Sequence, residues 1–193
     1  QGAQVLLLVD SITRFAEAEA AMASAGHEGM SGHGYPASTM ANLMALCERA
    51  GPGLEKGGDI TAVFSVLVAG SDMEGVLADT LRGVLDGHIV LDRDIAERGR
   101  FPAINLLRSV SRSLPKAATD EENDIIKTTR TLLGAFDRVE MMVQAGLYAE
   151  GSDPLADRAV ALWPELDALW SEPSEDCADA FSKLSAILSP DPS

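Results

Sequence analysis

The stretch VLLLVDS, residues 5–11, decides how the N-terminal part of this chain folds. An unbroken apolar run predicts a strand that is buried on both faces, as in the parallel sheets of α/β proteins. Asp10 follows the run directly, and open α/β sheets bind their ligands at the carboxyl ends of the strands. Asp10 is therefore the first candidate functional residue. The ordinary alternative is an Asp that caps the next helix.

Helices and strands alternate after this run. The pattern predicts a helix over Thr13–Met22, a glycine-rich loop over Ser24–Gly34 and a helix over Ser38–Arg49 with Ser38 as its N-cap. The segment ITAVFSVLVA, Ile60–Ala69, is rich in β-branched residues and predicts a second buried strand. Strands that alternate with helices indicate a parallel α/β sheet.

The same alternation continues with a helix near Val76–Leu85, a strand at His88–Leu91 and a short helix at Arg93–Arg98. After Pro115 the pattern becomes helical throughout. The predicted helices there are Asp120–Ala149, Asp153–Trp170 and Glu175–Leu188. We therefore expect an α/β domain over residues 1–117, followed by an all-α domain over residues 118–193.

Charge excludes one class of partner. The 193 residues carry a net charge of −15, which argues against nucleic acid as the main ligand because phosphate binding needs a basic surface. The acidic excess is concentrated from Glu150 onward, which suits a basic protein partner or serves solubility. Cys47 and Cys177 form no C-x-x-C pattern, and we expect reduced thiols in a cytosolic protein with no targeting or transmembrane segment.

The chain opens with Gln1 rather than Met, immediately before a predicted buried strand. We therefore expect it to be a piece of a longer protein.

Three segments, in order, resemble the catalytic core of the flagellar and type III secretion ATPases, relatives of the catalytic subunit of rotary ATP synthases. They are VLLLVDSITRFAEA (5–18), GYPASTMANLMALCERAG (34–51) and the long stretch 58–115, in which DGHIVLDR and PAINLLRSVSR are the most specific parts. GLYAEGSDPLADRAV (146–160) resembles the C-terminal helical domain of the flagellar members. The resemblance implies a RecA-like P-loop NTPase core, truncated on its N-terminal side, then an α-helical domain.

The resemblance also implies roles for single residues. Asp10 matches the Walker-B carboxylate, which orders Mg²⁺ through water. Arg112 matches the arginine finger, which reaches the γ-phosphate in a neighbouring subunit; the alternative is a surface Arg paired with an acid. Phe101 lies where the family stacks an aromatic ring on adenine, and the alternative is an ordinary core Phe. Arg14 matches an Arg that supports the site, and the alternative is an Arg on a helix surface.

The loop Ser24–Gly34 corresponds to the loop that faces the central channel of the family's ring. His27, Glu28 and His33 raise the question of a metal site, but their spacing fits no standard pattern and we expect a flexible pore-facing loop instead. His88 precedes an apolar strand, and we expect a structural histidine with its hydrogen bonds satisfied.

The sequence contains no G-x-x-x-x-G-K-[ST] segment. In the family this Walker-A loop and the catalytic glutamate precede the Walker-B strand, so the resemblance places both before Gln1. We therefore expect no ATP hydrolysis by this chain alone. We also expect a sheet edge left exposed by the truncation, and hence a poorly stable or oligomeric fragment.

The function implied is that of a homohexameric ATPase subunit that binds ATP and Mg²⁺ and energises flagellar protein export. Its partners would be stalk and stator proteins, export substrates and chaperones. It would be cytoplasmic and peripheral to the export gate at the inner membrane. The alternatives are a virulence secretion ATPase, an ATP-synthase-type subunit, or a non-catalytic module that docks partners through the acidic helices of Glu150–Leu188.

Overall fold

The structure, a computed structural model, describes residues 2–30, 34–54, 57–68 and 75–189. It divides into two compact units, Gln1–Asp86 and Gly87–Ser193, and each is described by itself below. Across the described residues, every helix is too short or too polar to cross a membrane.

The first unit is a parallel pair of strands with three helices. In chain order the elements are β1 (Val5–Val9), α1 (Ile12–Ala25), α2 (Ala37–Cys47), β2 (Ile60–Phe64) and α3 (Val76–Val84). β1 and β2 pair in parallel, with Val5 opposite Ile60 and Val9 opposite Phe64. The predicted parallel sheet is therefore present, and its strands end together at the same edge.

Two of the predicted bounds are corrected. The strand predicted over Ile60–Ala69 ends at Phe64, because its partner β1 ends at Val9 and the ladder has no strand to continue on; Ala69 lies outside the described residues. Helix α2 begins after Pro36, so Ser38 is not its N-cap. Ser38 instead donates from its hydroxyl to Glu28 at 2.5 Å, inside the first turn of the helix.

The strands are not buried on both faces, contrary to the sequence prediction. Leu6 and Leu8 of β1 are 64% and 67% exposed, and Val63 of β2 is 53% exposed. The core of this unit forms between the three helices instead. It comprises Ile12, Ala16, Leu43, Cys47, Leu77 and Leu81, and β1 and β2 reach it only through Val9 and Phe64 at their carboxyl ends. Within the described residues, the amino-terminal parts of the two strands stay largely exposed.

The second unit joins an antiparallel hairpin to three long helices. Its elements are β3 (Gly87–Leu91), α4 (Arg93–Glu97), β4 (Ile104–Ser111), α5 (Asp120–Gln144), α6 (Pro154–Leu169) and α7 (Cys177–Leu188). β3 pairs antiparallel with β4, a strand that the sequence pattern did not predict. The pattern missed it because Asn105, Arg108 and Ser109 interrupt the apolar run, and Arg108 and Ser109 lie where the strand is bulged.

The three predicted helices are present, and local signals set their starts. The side chain of Thr119 accepts from Glu122 N–H while the Glu122 carboxylate accepts from Thr119 N–H, which is a capping box. Asp153 and Asp176 cap α6 and α7 in a similar way. Helix α5 ends at Gln144 rather than at Ala149, just before Gly146, whose φ of 67° favours glycine and stops a helix.

These helices build the core of the second unit. Phe136 of α5 stacks on Trp163 of α6, with ring centroids 3.9 Å apart and planes 5° from parallel. Around this pair lie the fully buried side chains of Leu132, Leu166 and Ala159, with Leu184 and Leu188 from α7. The core therefore involves all three helices.

This core predicts a stability difference between two leucines. Leu166→Ala should lower the free energy of unfolding by about 2–5 kcal/mol, because the side chain is 1% exposed and its loss leaves a cavity. Leu147→Ala is the matched control: at 75% exposure it should change the free energy by no more than about 0.5 kcal/mol. Urea unfolding of both variants, followed by helical circular dichroism, measures the difference. Equal effects would contradict the assigned core.

Candidate functional site

Asp10 lies at the carboxyl end of β1, where it is exposed and held by the neighbouring strand. The Ser65 hydroxyl donates to Asp10 Oδ1 at 2.6 Å. Ser65 N–H also donates to the Val9 carbonyl at 2.9 Å, and Ile12 N–H donates to the Ser65 carbonyl at 3.0 Å. Ser65 thus extends the parallel pairing one residue beyond β2 and joins Asp10 to the start of α1.

The alternative role for Asp10, as a helix cap, does not fit this geometry. Ser11 is the N-cap of α1, and no side chain makes a capping hydrogen bond there. The Asp10 carboxylate instead projects from the end of the parallel pair, toward the hydroxyl of Ser65. That arrangement suits Mg²⁺, which keeps most of its waters and takes one or two protein carboxylates together with substrate phosphates.

A second hydrogen bond stabilises the same edge of the sheet, at the carboxyl ends of β1 and β2. The buried Thr13 hydroxyl accepts from Leu67 N–H at 2.8 Å. With the Ser65 contacts, it fixes the segment after β2 against the first turn of α1. Sequence reasoning missed Ser65 and Thr13. The available signal was a polar residue at the end of each apolar run, since parallel strands place such residues side by side.

Arg14 lies on the outer surface of α1 and pairs with Glu17 at 2.8 Å, with its side chain 72% exposed. This is the geometry of the helix-surface alternative. The predicted role of Arg14 in supporting the site stays a prediction.

Phe101 lies between α4 and β4 and is 63% exposed. The alternative of an ordinary core Phe is therefore wrong for this chain. An accessible ring is what stacking on a base requires. The predicted contact with adenine itself stays a prediction.

Arg112 is exposed and directly follows the last residue of β4. The strand before it is strongly bulged. His88 pairs with Val110 and Val90 pairs with Asn105, so residues 106–109 of β4 stand opposite Ile89 alone. The carbonyls of the bulge cannot all pair with β3, and each needs another donor.

Side chains supply those donors. The bonds are Ser109 Oγ to Asn105 O at 2.6 Å, Arg130 Nη1 to Leu106 O at 2.9 Å, Arg130 Nη2 to Leu107 O at 2.9 Å, His88 Nε2 to Arg108 O at 3.0 Å and Arg130 Nη1 to Ser109 O at 3.3 Å. A carbonyl only accepts, so Nε2 of His88 is the donor in this bond. The expected structural role of His88 is confirmed for Nε2, which holds the Arg108 carbonyl.

Asp92 fixes the other end of the hairpin. It accepts from the Asn105 side-chain amide at 2.9 Å and from Asp94 N–H at 3.0 Å, which caps α4. The Asn105 hydrogen bond is the main reason that the pKa of Asp92 lies below its usual range, since it stabilises the ionised carboxylate against the opposing effect of burial. The DGHIVLDR segment therefore positions the residues that precede Arg112.

In the loop after α1, Glu28 has a structural partner. Its carboxylate accepts from both the hydroxyl and the N–H of Ser38, and the hydroxyl bond is the main reason that its pKa is lowered. His33 lies outside the described residues. Where the chain is described, no three His, Cys, Asp or Glu side chains are grouped to hold a metal ion.

An exposed carboxylate at the carboxyl end of a parallel strand pair lies where open α/β domains bind their ligands. The pattern of the ATP synthase alpha/beta family, nucleotide-binding domain, matches residues 1–111, which is more than half of the chain. The chain belongs to that family. The pattern described as the T3SS EscN ATPase C-terminal domain matches residues 118–187.

Curated relatives include two flagellum-specific ATP synthases. The one from Caulobacter vibrioides is 43% identical over 97% of this chain and 44% of its own length. The one from Salmonella typhimurium is 42% identical over 97% of this chain and 41% of its own length. The chain thus spans less than half the length of these relatives.

Among solved structures, the assembled ATPase EscN from the enteropathogenic E. coli type III secretion system superposes with a TM-score of 0.90. It is 32% identical and matches 98% of this chain and 46% of its own. EscN in complex with its central stalk EscO superposes with a TM-score of 0.82 at 32% identity, over 96% of this chain and 44% of its own. The predicted fold class, a parallel α/β core followed by an all-α region, is confirmed.

The predicted role of Asp10 in binding Mg²⁺ can be tested through its contact with Ser65. In the full-length protein, Ser65→Ala should weaken Mg²⁺ binding to the nucleotide complex by about tenfold, because a hydrogen bond to a charged group contributes about 1.5 kcal/mol. Ser65→Thr keeps the hydroxyl and should bind nearly as well as the wild type. Thr61→Ala, at an exposed position of β2, is the control. Calorimetric Mg²⁺ titration gives the affinities, and equal values for Ser65→Ala and Thr61→Ala would contradict the role.

Proposed function

We propose that this chain is the C-terminal part of a homohexameric ATPase subunit that hydrolyses ATP with Mg²⁺ and energises flagellar type III protein export. The observation that carries the proposal is the 42–43% identity to flagellum-specific ATP synthases over 97% of the chain. The geometry at the end of β1 supports it, because the carboxylate that such a site needs is present and held. The domain division at residues 117 and 118 belongs to the proposal, supported by matches that end at 111 and begin at 118.

Asp10 would hold the waters around Mg²⁺, and Ser65 would keep its carboxylate turned to that side. The ion, when bound, neutralises charge on the phosphate oxygens. Phe101 would stack on adenine of the chain's own nucleotide, and Arg14 would support the site from α1. Positioning and electrostatic stabilisation perform most of the work in phosphoryl transfer, so these residues bind and orient rather than react.

Arg112 would act in a neighbouring subunit's site, where its guanidinium neutralises the charge that develops on the γ-phosphate. This role needs an exposed Arg on a rigid element, and Arg112 is exposed at the end of a β-hairpin whose backbone is held by side chains. A ring in which each subunit completes the site of the next requires a head-to-tail interface, as in closed cyclic assemblies.

The proposed partners and location follow from the relatives. A stalk protein is proposed because an EscN structure contains its central stalk EscO. Stator proteins, export substrates and chaperones complete the proposal, with the subunit in the cytoplasm and peripheral to the export gate at the inner membrane. A virulence secretion system is the second candidate, since a type 3 secretion system ATPase of Pseudomonas savastanoi is 38% identical over 97% of this chain.

Replacing Arg112 tests the catalytic part of the proposal. In the full-length protein, Arg112→Ala should lower kcat by about 10³- to 10⁵-fold, because an arginine finger contributes that much to turnover. The dissociation constant for ATP should change little, since the residue contacts a different subunit's nucleotide. Steady-state kinetics and equilibrium nucleotide binding measure the two effects. A comparable loss of binding would show that Arg112 is structural.

The isolated chain provides a second test. Residues 1–193 contain no G-x-x-x-x-G-K-[ST] segment, so the 193-residue chain should hydrolyse no ATP above background. Phosphate release at micromolar protein, beside the full-length enzyme, is the measurement. Turnover at the full-length rate would contradict the proposal that the Walker-A loop and the catalytic glutamate precede Gln1. Capture of a stalk protein by the chain would support a docking function for its acidic helices.

A further inference from the structure

We propose that Arg130, on helix α5, is a positioning residue for Arg112: its guanidinium holds the carbonyls of the β4 bulge and thereby sets where the arginine finger lies. The inference rests on the proposed role of Arg112 in a neighbouring site. It assigns to a residue of the helical region a part in the reaction that the family comparison does not supply.

The bulge creates the need for this contact. Residues 106–109 of β4 face Ile89 alone, so their carbonyls lie outside the ladder with β3. Arg130 donates to Leu106 O and Leu107 O at 2.9 Å each, and to Ser109 O at 3.3 Å. Without the guanidinium, three main-chain acceptors just before Arg112 lose their protein partners, and the bulge gains freedom to change shape.

The geometry requires an Arg. A guanidinium is a planar fork whose nitrogens are fixed relative to one another, so two of them can hold adjacent carbonyls at the same time. A Lys ammonium is one point on a flexible stem and cannot reproduce that fork. The bulge therefore depends on the shape of the Arg130 head group, in addition to its charge.

The anchor of Arg130 is rigid. Its neighbour Thr129 is 5% exposed, and Leu132 and Leu133, on the next turn, are 1% and 6% exposed in the core. The start of α5 is fixed by the capping box of Thr119 and Glu122. Arg130 itself remains accessible to solvent, but its backbone cannot move without disturbing that core. The contact therefore transmits the position of α5 to β4, the strand that ends immediately before Arg112.

The first measurement is a split between kcat and KM in the full-length hexamer. Arg130→Gln should lower kcat by about 10²-fold, the loss expected when a catalytic group is misplaced by about 1 Å. KM and the dissociation constant for ATP should stay within about twofold, since the subunit's own nucleotide site is intact. Arg130→Lys should remain impaired, because it keeps the charge but loses the fork. Arg138→Gln, an exposed position further along α5, is the control and should match the wild type.

Mixed hexamers test whether Arg130 acts through the finger. Arg130→Gln subunits keep their own nucleotide site, while Asp10→Asn subunits lose theirs but keep a correctly held Arg112. Mixed in equal amounts, about a quarter of the head-to-tail interfaces combine an intact site with an intact finger. Turnover should therefore reappear on mixing two variants that are each nearly inactive. A variant that merely destabilised its own subunit would show no such recovery.

A parallel mixture of Arg112→Ala with Asp10→Asn subunits separates the positioning role of Arg130 from the action of Arg112 in a neighbouring site. Recovery in this mixture but not with Arg130→Gln would overturn the positioning role of Arg130 and leave the finger intact. Recovery in neither would overturn the action of Arg112 in trans, and the inference with it. If Arg130→Gln fails to assemble, Arg130→Lys replaces it in the same mixture. A fall in ATP affinity equal to the fall in kcat would also count against the proposal.

Discussion

Main-chain groups that leave a regular ladder must find other partners, and this constraint shapes both parts of the molecule that carry the candidate site. Just beyond the end of β1, Ser65 bonds to the main chain of Val9 and Ile12 and to the side chain of Asp10. The Thr13 hydroxyl accepts from the main-chain N–H of Leu67. In β4, Arg130, His88 and Ser109 donate to the carbonyls of the bulge. Ser65 also donates to Asp10, and the carbonyls held in β4 belong to the residues that precede Arg112.

The two strand pairs leave much of their apolar surface uncovered within the described residues. Leu6 and Leu8 on β1 are exposed, as are Ile89 and Leu91 on β3. Exposed apolar patches of this kind mark surfaces that meet another part of a protein or another chain. In the proposed head-to-tail ring, a neighbouring subunit would be one occupant for such surfaces. The helical unit differs, since its core is closed around the stacked Phe136 and Trp163.

The proposed site is divided along the chain. Asp10 and Arg14 belong to the first unit, and Phe101 and Arg112 belong to the second. The residues of the second unit are tied to the helices that follow them: Arg130 holds β4, and Arg100 pairs with Asp167 of α6 at 3.0 Å while its own side chain is 10% exposed. The strand that precedes Arg112, the proposed arginine finger, is therefore held by the helical region as well as by its pairing with β3.

The sequence by itself determined the first strand, the presence of the three C-terminal helices and the family. Each rests on local information: an unbroken apolar run, apolar residues at helical spacing, and motifs of contiguous residues. It also supplied Asp10 and Arg112 as candidates. Only the tertiary structure decided that Ser65 holds Asp10, that β4 is a bulged strand and that Arg130 satisfies it. The first contact joins residues 55 positions apart, and the others join residues 21 to 24 positions apart. Such pairs have no local pattern, because they depend on which strand ends and helix faces the fold brings together.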